Sequence, residues 1–216
     1  MAAAAAAPSL AWAQPVKTVA LKEALHFLDL YLELPPAQRT RFYLAYRATR
    51  GGRPAPDAEA LIVAPGGAHL PLPLDREGQV TRLPTLAQLK TCSLEMIGPP
   101  FQFGLEMRAV APLATRIDPA ELALALTQLN AGIAKSGSLA FLAPKMTAAY
   151  FIDAEDGRAV LGDGRSAALP VFHQHALGAV PYFEPSALAG ARALVFARPP
   201  SRILLGDKPG WGMARA

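Results

Sequence analysis

The sequence predicts an α+β protein in which an antiparallel β-sheet packs against two main helices. Two stretches show the periodicity of an amphipathic helix, and much of the remaining chain forms short segments in which apolar and polar residues alternate. The connections between these segments contain Asp and Gly, which favour tight hairpin turns. Short strands joined by tight turns pair in an antiparallel manner, which favours the α+β class.

The first predicted helix extends from Val19 to Leu34. Its polar residues recur at steps of four, three and four positions and form one stripe: Lys22, His26, Asp29 and Glu33. Apolar residues cover much of the rest of its surface, so we expect a wide buried face. Pro35 and Pro36 end the helix, because proline cannot continue the hydrogen-bond ladder.

The second predicted helix begins at Pro119 and ends at Gly137. Asp118 is a favourable N-cap, Pro119 fits the first helical position, and Glu121 completes a capping-box arrangement. The apolar positions that keep the helical period are Leu122, Leu126, Leu129 and Ile133. The opposite face is mostly alanine, so we expect this helix to be covered on more than one side.

Strands are predicted where the period changes to two. Apolar residues alternate with polar or small ones from Phe101 to Met107, which is typical of a strand with one buried face. The other predicted strands are Phe42–Arg47, Ala60–Ala64, Gln79–Leu83, Thr147–Ile152, Arg158–Leu161, Ala167–Phe172 and Leu194–Arg198. Hairpin-type turns are predicted at residues 75–78, 155–157 and 162–164.

A weak internal repeat divides the chain into two helix-plus-sheet units, residues 14–116 and 117–205, within one continuous globular body. Its landmarks are Gly78 followed by Leu83-Pro84, and Gly164 followed by Leu169-Pro170. The alternative is convergence, because Gly serves tight turns and Pro ends strands in unrelated segments. Residues 206–216 have no apolar period and are predicted to be a disordered tail.

The N-terminus predicts export from the cytoplasm. Ala11 and Ala13 flank Trp12 in the small-x-small pattern that precedes a signal-peptidase cleavage site, so residues 1–13 are interpreted as a signal peptide remnant that is removed before Gln14. No basic residue precedes the alanine run, so we expect the true start to lie upstream. The alternative is an alanine-rich disordered N-terminus. The expected location is the periplasm or the extracellular medium.

Composition narrows the class of protein further. The only cysteine is Cys92, so there is no intramolecular disulfide and no cysteine at the cleavage point for lipidation. The net charge of +4 is too small to indicate nucleic-acid binding. No apolar run approaches the roughly 18 residues that a transmembrane helix needs. We therefore expect neither nucleic-acid binding nor a membrane span.

One candidate binding site is a group of five arginines, here called the N-terminal arginine set: Arg39, Arg41, Arg47, Arg50 and Arg53. Guanidinium groups bind phosphates and carboxylates through paired hydrogen bonds, so the set could hold an anionic envelope component or an acidic envelope protein. The alternative is a solvated charged surface that aids solubility.

His173 and His175 are the candidate metal ligands. Alternate residues of a strand project from the same face, so both imidazoles could hold one zinc ion if a third ligand were supplied. The alternative is two surface histidines. The acidic residues Asp153, Glu155 and Asp156 are a weaker candidate for calcium, because turn chemistry already explains them.

No catalytic motif is present: the sequence has no G-x-S-x-G, H-E-x-x-H, C-x-x-C or Walker pattern. The function predicted is therefore a non-catalytic binding or interaction module of the cell envelope, without a cofactor and with an unidentified ligand. The alternative is a metal-dependent or spatially assembled hydrolase that uses His173 and His175, with zinc as its cofactor.

Overall fold

Antiparallel strands make up much of the part of the chain that the structure describes. This structure is a computed structural model that describes residues 16–137, 143–174 and 178–207. In chain order the strands are β1 (Val16–Ala20), β2 (Phe42–Arg50), β3 (Arg53–Pro54), β4 (Glu59–Val63), β5 (His69–Pro71), β6 (Ser93–Ile97), β7 (Gln102–Ala109), β8 (Arg116–Ile117), β9 (Ala148–Ile152), β10 (Arg158–Leu161), β11 (Ser166–Ala168), β12 (Val171–Gln174), β13 (Gly178–Phe183), β14 (Ala191–Val195) and β15 (Arg202–Gly206). The helices are α1 (Leu21–Ala24), α2 (Leu28–Glu33), α3 (Leu86–Thr91) and α4 (Pro119–Ala134). This content confirms the predicted α+β class.

The described strands form one seven-stranded sheet and two four-stranded sheets. The large sheet has the order β12-β13-β9-β15-β7-β2-β3, and the small sheets have the orders β1-β6-β4-β5 and β8-β14-β10-β11. All pairings between these strands are antiparallel. The large sheet takes strands from both predicted units and joins them where β7 pairs with β15.

Helix α4 confirms the second predicted helix and its start. The Asp118 carboxylate accepts a hydrogen bond from the Ala120 N–H at 2.8 Å, and Pro119 occupies the first turn. The predicted role of Glu121 differs, because its carboxylate pairs with the Arg41 guanidinium that precedes β2. A residue in the first turn of α4 therefore links the helix to the large sheet.

The helix predicted from Val19 to Leu34 is wrong as a continuous element. The chain up to Ala20 belongs to β1, and the two short helices α1 and α2 follow, with Phe27 between them at a φ of 66°. Residues 19 and 20 belong to β1 and not to a helix, because β6 supplies hydrogen-bond partners for their backbone groups. Of the two main helices predicted, only α4 is long.

A third helix, α3, was not predicted, although the sequence carries its signal. The Thr85 hydroxyl accepts a hydrogen bond from the Gln88 N–H at 3.3 Å, and the Gln88 side chain accepts one from the Thr85 N–H at 2.9 Å. This reciprocal pair is a capping box of the T-x-x-Q type. The spacing of Thr85 and Gln88 could therefore have located this helix.

Three predicted strands differ from the structure, and several strands, including β6, β13 and β15, were not predicted. The strand predicted over residues 194–198 begins and ends three residues earlier, as β14. Residues 79–83 make only isolated bridges, from Gln79 to Arg47 and from Val80 to Leu74. The strand predicted over residues 167–172 divides into β11 and β12, because Pro170 has no N–H for a ladder. Strand β15 ends at Gly206, the first residue of the predicted disordered tail. It nevertheless lies in the middle of the large sheet. Residues 208–216 lie outside the described residues.

The main core lies between the helices and one face of the large sheet. Along β2, Phe42, Leu44 and Tyr46 join this core, whereas Tyr43 and Arg47 project from the opposite face. The opposite face carries a smaller apolar cluster that includes Tyr150 of β9. The large sheet therefore presents two chemically different faces.

Two features of the structure bear on the expectations from composition. Cys92 is a free, partly exposed cysteine. Within the described ranges, no helix has the length and apolar character needed to cross a membrane.

Candidate functional site

An apolar groove with a volume of about 450 Å³ lies between α2 and α4 on the core side of the large sheet. Helices form its walls, and β2 and β7 contribute to its floor. The apolar lining residues are Phe27, Leu30, Leu34, Phe42, Leu44, Leu105, Met107, Leu129, Ile133, Ala143, Pro144 and Met146; Tyr31, Gly132 and Ser136 complete the lining. Its size falls within the usual range of small-molecule sites, roughly 300–1,000 Å³.

The periodicity of each element directs its apolar side chains into the groove. On α4 the lining residues Leu129, Gly132 and Ile133 are spaced so that they share one helix face, and Ser136 follows just after the helix ends. On β7, Leu105 and Met107 alternate with residues of the other sheet face. Local sequence patterns therefore produce each wall, while the packing of distant segments produces the groove.

Gly132 lets α4 pack closely against Leu34 and Phe42, which line the groove with it. A Cβ atom at this position would lie 3.0 Å from Leu34 Cδ1 and 3.5 Å from Phe42 Cζ. Glycine inside a helix costs about 1 kcal/mol relative to alanine. The helix tolerates this cost because only a residue without a side chain lets Leu34 and Phe42 approach this closely.

Phe27 lies at the mouth of the groove in an unusual backbone conformation. Its φ is 66°, which is uncommon for a bulky residue, and its side chain is 49% exposed. The neighbouring His26 carbonyl accepts a hydrogen bond from the buried Tyr46 hydroxyl at 2.6 Å. Burial, reinforced by the charge of Asp29, raises the pKa of Tyr46 above its usual value, so this hydroxyl stays protonated. Tyr46 thereby anchors the turn that presents Phe27.

The segment before β2 is fixed at the rim of the groove by Gln128 of α4. The Gln128 side chain accepts a hydrogen bond from the Arg41 N–H at 2.7 Å and donates one to the Thr40 hydroxyl at 3.1 Å. The Arg39 guanidinium lies 5.1 Å from the centre of the Tyr31 ring, which lines the groove. One positive charge is thus held beside the otherwise apolar lining.

The structure separates the N-terminal arginine set. Arg39 and Arg41 lie before β2, whereas Arg50 and Arg53 lie at its far end, where Arg50 pairs with Asp57 at 3.1 Å. A strand of nine residues such as β2 spans roughly 30 Å at about 3.3 Å per residue. Arg47 lies between the two ends, on the sheet face away from the groove. The five side chains do not form one patch, and their binding role stays a prediction.

Of the two candidate metal ligands, His173 alone lies within the described residues. His173 is exposed on β12, whereas His175 lies outside the described residues. Among the described ranges, no group of three or more His, Cys, Asp or Glu side chains is placed to hold a metal ion. In the acidic loop, Glu155 pairs with Arg198 at 2.8 Å, and Asp153 accepts a hydrogen bond from Ser201.

Sequence reasoning missed the groove because its walls come from four separate parts of the chain. The available signal was Gly132, a glycine in the interior of a strongly predicted helix, where a close approach or a packing requirement is the usual cause. The helix period identifies Leu129 and Ile133 as apolar, but it does not say whether a core or a groove faces them. Pattern alone therefore could not separate these two outcomes.

Comparison with known proteins suggests no function for this chain, so the proposed function rests on the groove. No protein-family model, curated protein or solved structure matches this chain.

Proposed function

We propose that this protein is an exported binding protein that holds the apolar part of a small molecule in the groove between α2 and α4. The observation that carries the proposal is the groove itself, a volume of about 450 Å³ whose lining is almost entirely apolar. Burying the apolar surface of a ligand contributes about 25 cal/mol per Å², so such a lining can supply affinity without any charged contact.

The chemistry of the lining favours binding over catalysis. Its described side chains include two hydroxyl groups, from Tyr31 and Ser136, and no carboxylate, imidazole or thiol. The Ser136 hydroxyl already donates to the Ile133 carbonyl at 2.6 Å, and the Tyr31 hydroxyl contacts the Phe42 carbonyl at 3.4 Å. Among the described residues, the hydrogen-bond partners of both hydroxyls are backbone carbonyls and not a base that would make either one a nucleophile.

Substitution of Gly132 by leucine tests the proposal. Gly132→Leu forces an isobutyl group against Leu34 and Phe42, where even a Cβ atom is crowded, so the side chain has to take up groove volume and should weaken binding of the neutral probe N-phenyl-1-naphthylamine by about tenfold or more. The enhancement of probe fluorescence measures the binding. Ala131→Leu is the matched control, because Ala131 is exposed on the same helix and does not line the groove. Equal probe affinity in both variants would refute the site.

The export part of the proposal rests on the small-x-small pattern at residues 11–13. Intact-mass measurement of the protein purified from its native host should give a chain that begins at Gln14. A mass that includes residues 1–13 would contradict export through this cleavage site. This result tests export alone, whereas the probe measurement tests the groove.

We also propose that the two units are tandem copies. The support is the strand order of the small sheets, in which β1, β6, β4 and β5 correspond in turn to β8, β14, β10 and β11. Two backbone hydrogen bonds follow the same correspondence: Leu72 N–H to Ala60 at 2.9 Å, and Leu169 N–H to Gly157 at 2.8 Å. Helices α2 and α4 would then be the corresponding helices of the two copies.

The landmarks that suggested the repeat do not correspond in this strand order. The Gly164 turn joins β10 to β11, whose counterparts β4 and β5 are joined through residues 64–68, whereas Gly78 lies after β5. Leu169-Pro170 therefore corresponds to Leu72-Pro73 and not to Leu83-Pro84. A second pair of hydrogen bonds supports this correspondence. The Pro73 carbonyl accepts from the Thr81 N–H and the Pro170 carbonyl accepts from the Tyr182 N–H, both at 2.9 Å.

A further inference from the structure

Three arginines from three strands lie close together on the face of the large sheet that is turned away from the groove. This sheet arginine cluster consists of Arg47 on β2, Arg108 on β7 and Arg202 on β15. Their side chains are only 13%, 8% and 17% exposed, respectively. Burial of three guanidinium groups is costly unless each is paired, because charges lose their hydration. The partners of each group therefore decide what the cluster can do.

Arg108 is held by hydrogen bonds to the side chains of Glu106 and Gln79. Its Nε donates to the Glu106 carboxylate at 2.7 Å, and a terminal nitrogen donates to the Gln79 side chain at 2.9 Å. Burial lowers the pKa of Arg108, but the charge and hydrogen bond of Glu106, together with the contact to Tyr43, outweigh burial and leave the pKa above its usual value. Arg108 and Glu106 therefore form a compensated ion pair in the cluster.

Arg47 and Arg202 are compensated much less well. The Nε atoms of both are buried without a hydrogen-bond partner among the described residues. Arg202 Nε lies 3.6 Å from the Glu106 carboxylate, which already accepts hydrogen bonds from Arg108. A terminal nitrogen of Arg47 lies 3.5 Å from the exposed carboxylate of Glu77. Both separations are longer than an N–H···O hydrogen bond.

The charge balance around Arg202 agrees with this geometry. Burial and repulsion by Arg47 and Arg108 lower the pKa of Arg202 below its usual value, although Glu106 opposes the change. Two guanidinium groups thus have donors that the neighbouring carboxylates leave unsatisfied. An additional anion would satisfy these donors and reduce the repulsion.

We propose that the sheet arginine cluster binds a phosphate group, with Arg47 and Arg202 as the donors and Arg108 as a fixed positive charge beside them. A phosphate group offers several acceptor oxygens to planar guanidinium groups, which can donate to it in pairs. The group could be free inorganic phosphate or the terminal phosphate of a larger molecule. The proposal is independent of the groove, which lies on the other face of the sheet.

Calorimetric titration of the purified protein with inorganic phosphate tests this site, with chloride at equal ionic strength as the reference. The wild type should bind one phosphate per chain, and Arg47→Gln and Arg202→Gln should each weaken binding by about tenfold, the loss expected for a charged hydrogen bond. Arg158→Gln is the control, because Arg158 is exposed on β10 of a small sheet, outside the cluster, and its replacement should leave phosphate affinity unchanged.

Glu106→Gln should change phosphate affinity in the opposite direction from the arginine substitutions. Removal of this carboxylate takes away the anion that competes with phosphate, so phosphate affinity should rise and phosphate should raise the melting temperature more than in the wild type. Phenyl phosphate identifies the source: equal affinity for it indicates a phosphate on a larger molecule, whereas exclusive binding of inorganic phosphate indicates the free ion. Absence of saturable binding in the wild type, or unchanged affinity in Arg47→Gln and Arg202→Gln, would overturn the proposal.

Discussion

Leu126→Ala should lower the free energy of unfolding by about 2–5 kcal/mol, the usual cost of truncating a buried leucine. Leu126 is 5% exposed and lies on α4, which packs against strands of both the large sheet and a small sheet. Removal of its isobutyl group takes apolar contacts from the core and leaves a cavity that the surrounding sheets can only partly fill.

Leu124→Ala is the matched control for this prediction. Leu124 lies two residues earlier on the same helix, but it is 50% exposed. The two variants lose the same atoms and gain the same helix propensity, so the difference between their urea midpoints reports burial alone. Equal midpoints would show that α4 does not bury the face assigned to it.

Gly78→Ala should destabilise the protein by about 3 kcal/mol, a sum of backbone strain and steric overlap. Gly78 has a φ of 76°, a backbone conformation that is unfavourable in energy for residues with a Cβ atom. The new Cβ would also lie 3.0 Å from the Ala55 carbonyl oxygen and 3.2 Å from that of Ala48. Ala48 donates its N–H to the Gly78 carbonyl at 2.8 Å, so the turn cannot move away without breaking this bond.

Gly164→Ala separates strain from overlap. Gly164 has a φ of 82°, yet no atom lies within 4 Å of the position that a Cβ would take. The loss of unfolded-state entropy on replacing glycine is the same at both sites, so Gly164→Ala should cost about 1–2 kcal/mol from backbone strain alone. Urea unfolding of both variants measures the difference. A larger loss in Gly164→Ala than in Gly78→Ala would contradict the packing around residue 78.

These two glycines also show how far sequence reasoning extends. Both lie in Asp-containing turns, and both were predicted as turns from the residues alone, because an Asp-Gly turn depends on the local backbone. Their different surroundings depend on strands that lie far away in the chain. Sequence therefore predicted the conformation of each glycine, but not the cost of replacing it.

For the arginines too, the sequence predicts the local features, whereas the neighbours depend on strands that are distant in the chain. The sequence grouped Arg47 with its neighbours along the chain, whereas the structure places it beside Arg108 and Arg202. Alternation along β2 predicts that Arg47 projects away from Leu44 and Tyr46, but it does not identify the strands beside β2. Pairing between β7 and β15 brings arginines from both units to one face of the sheet.

By itself the sequence determined the features that depend on neighbouring residues: the α+β class, helix α4 with its Asp118 cap, and the alternating faces of β2 and β7. Tertiary structure decided the features that depend on distant partners. Pairing with β6 made residues 16–20 a strand, and the packing of α2 and α4 over β2 and β7 left an apolar groove. The physical reason is that caps, turns and side-chain alternation are satisfied within a few residues. Strand pairing and cavities instead require surfaces that only the folded chain brings together.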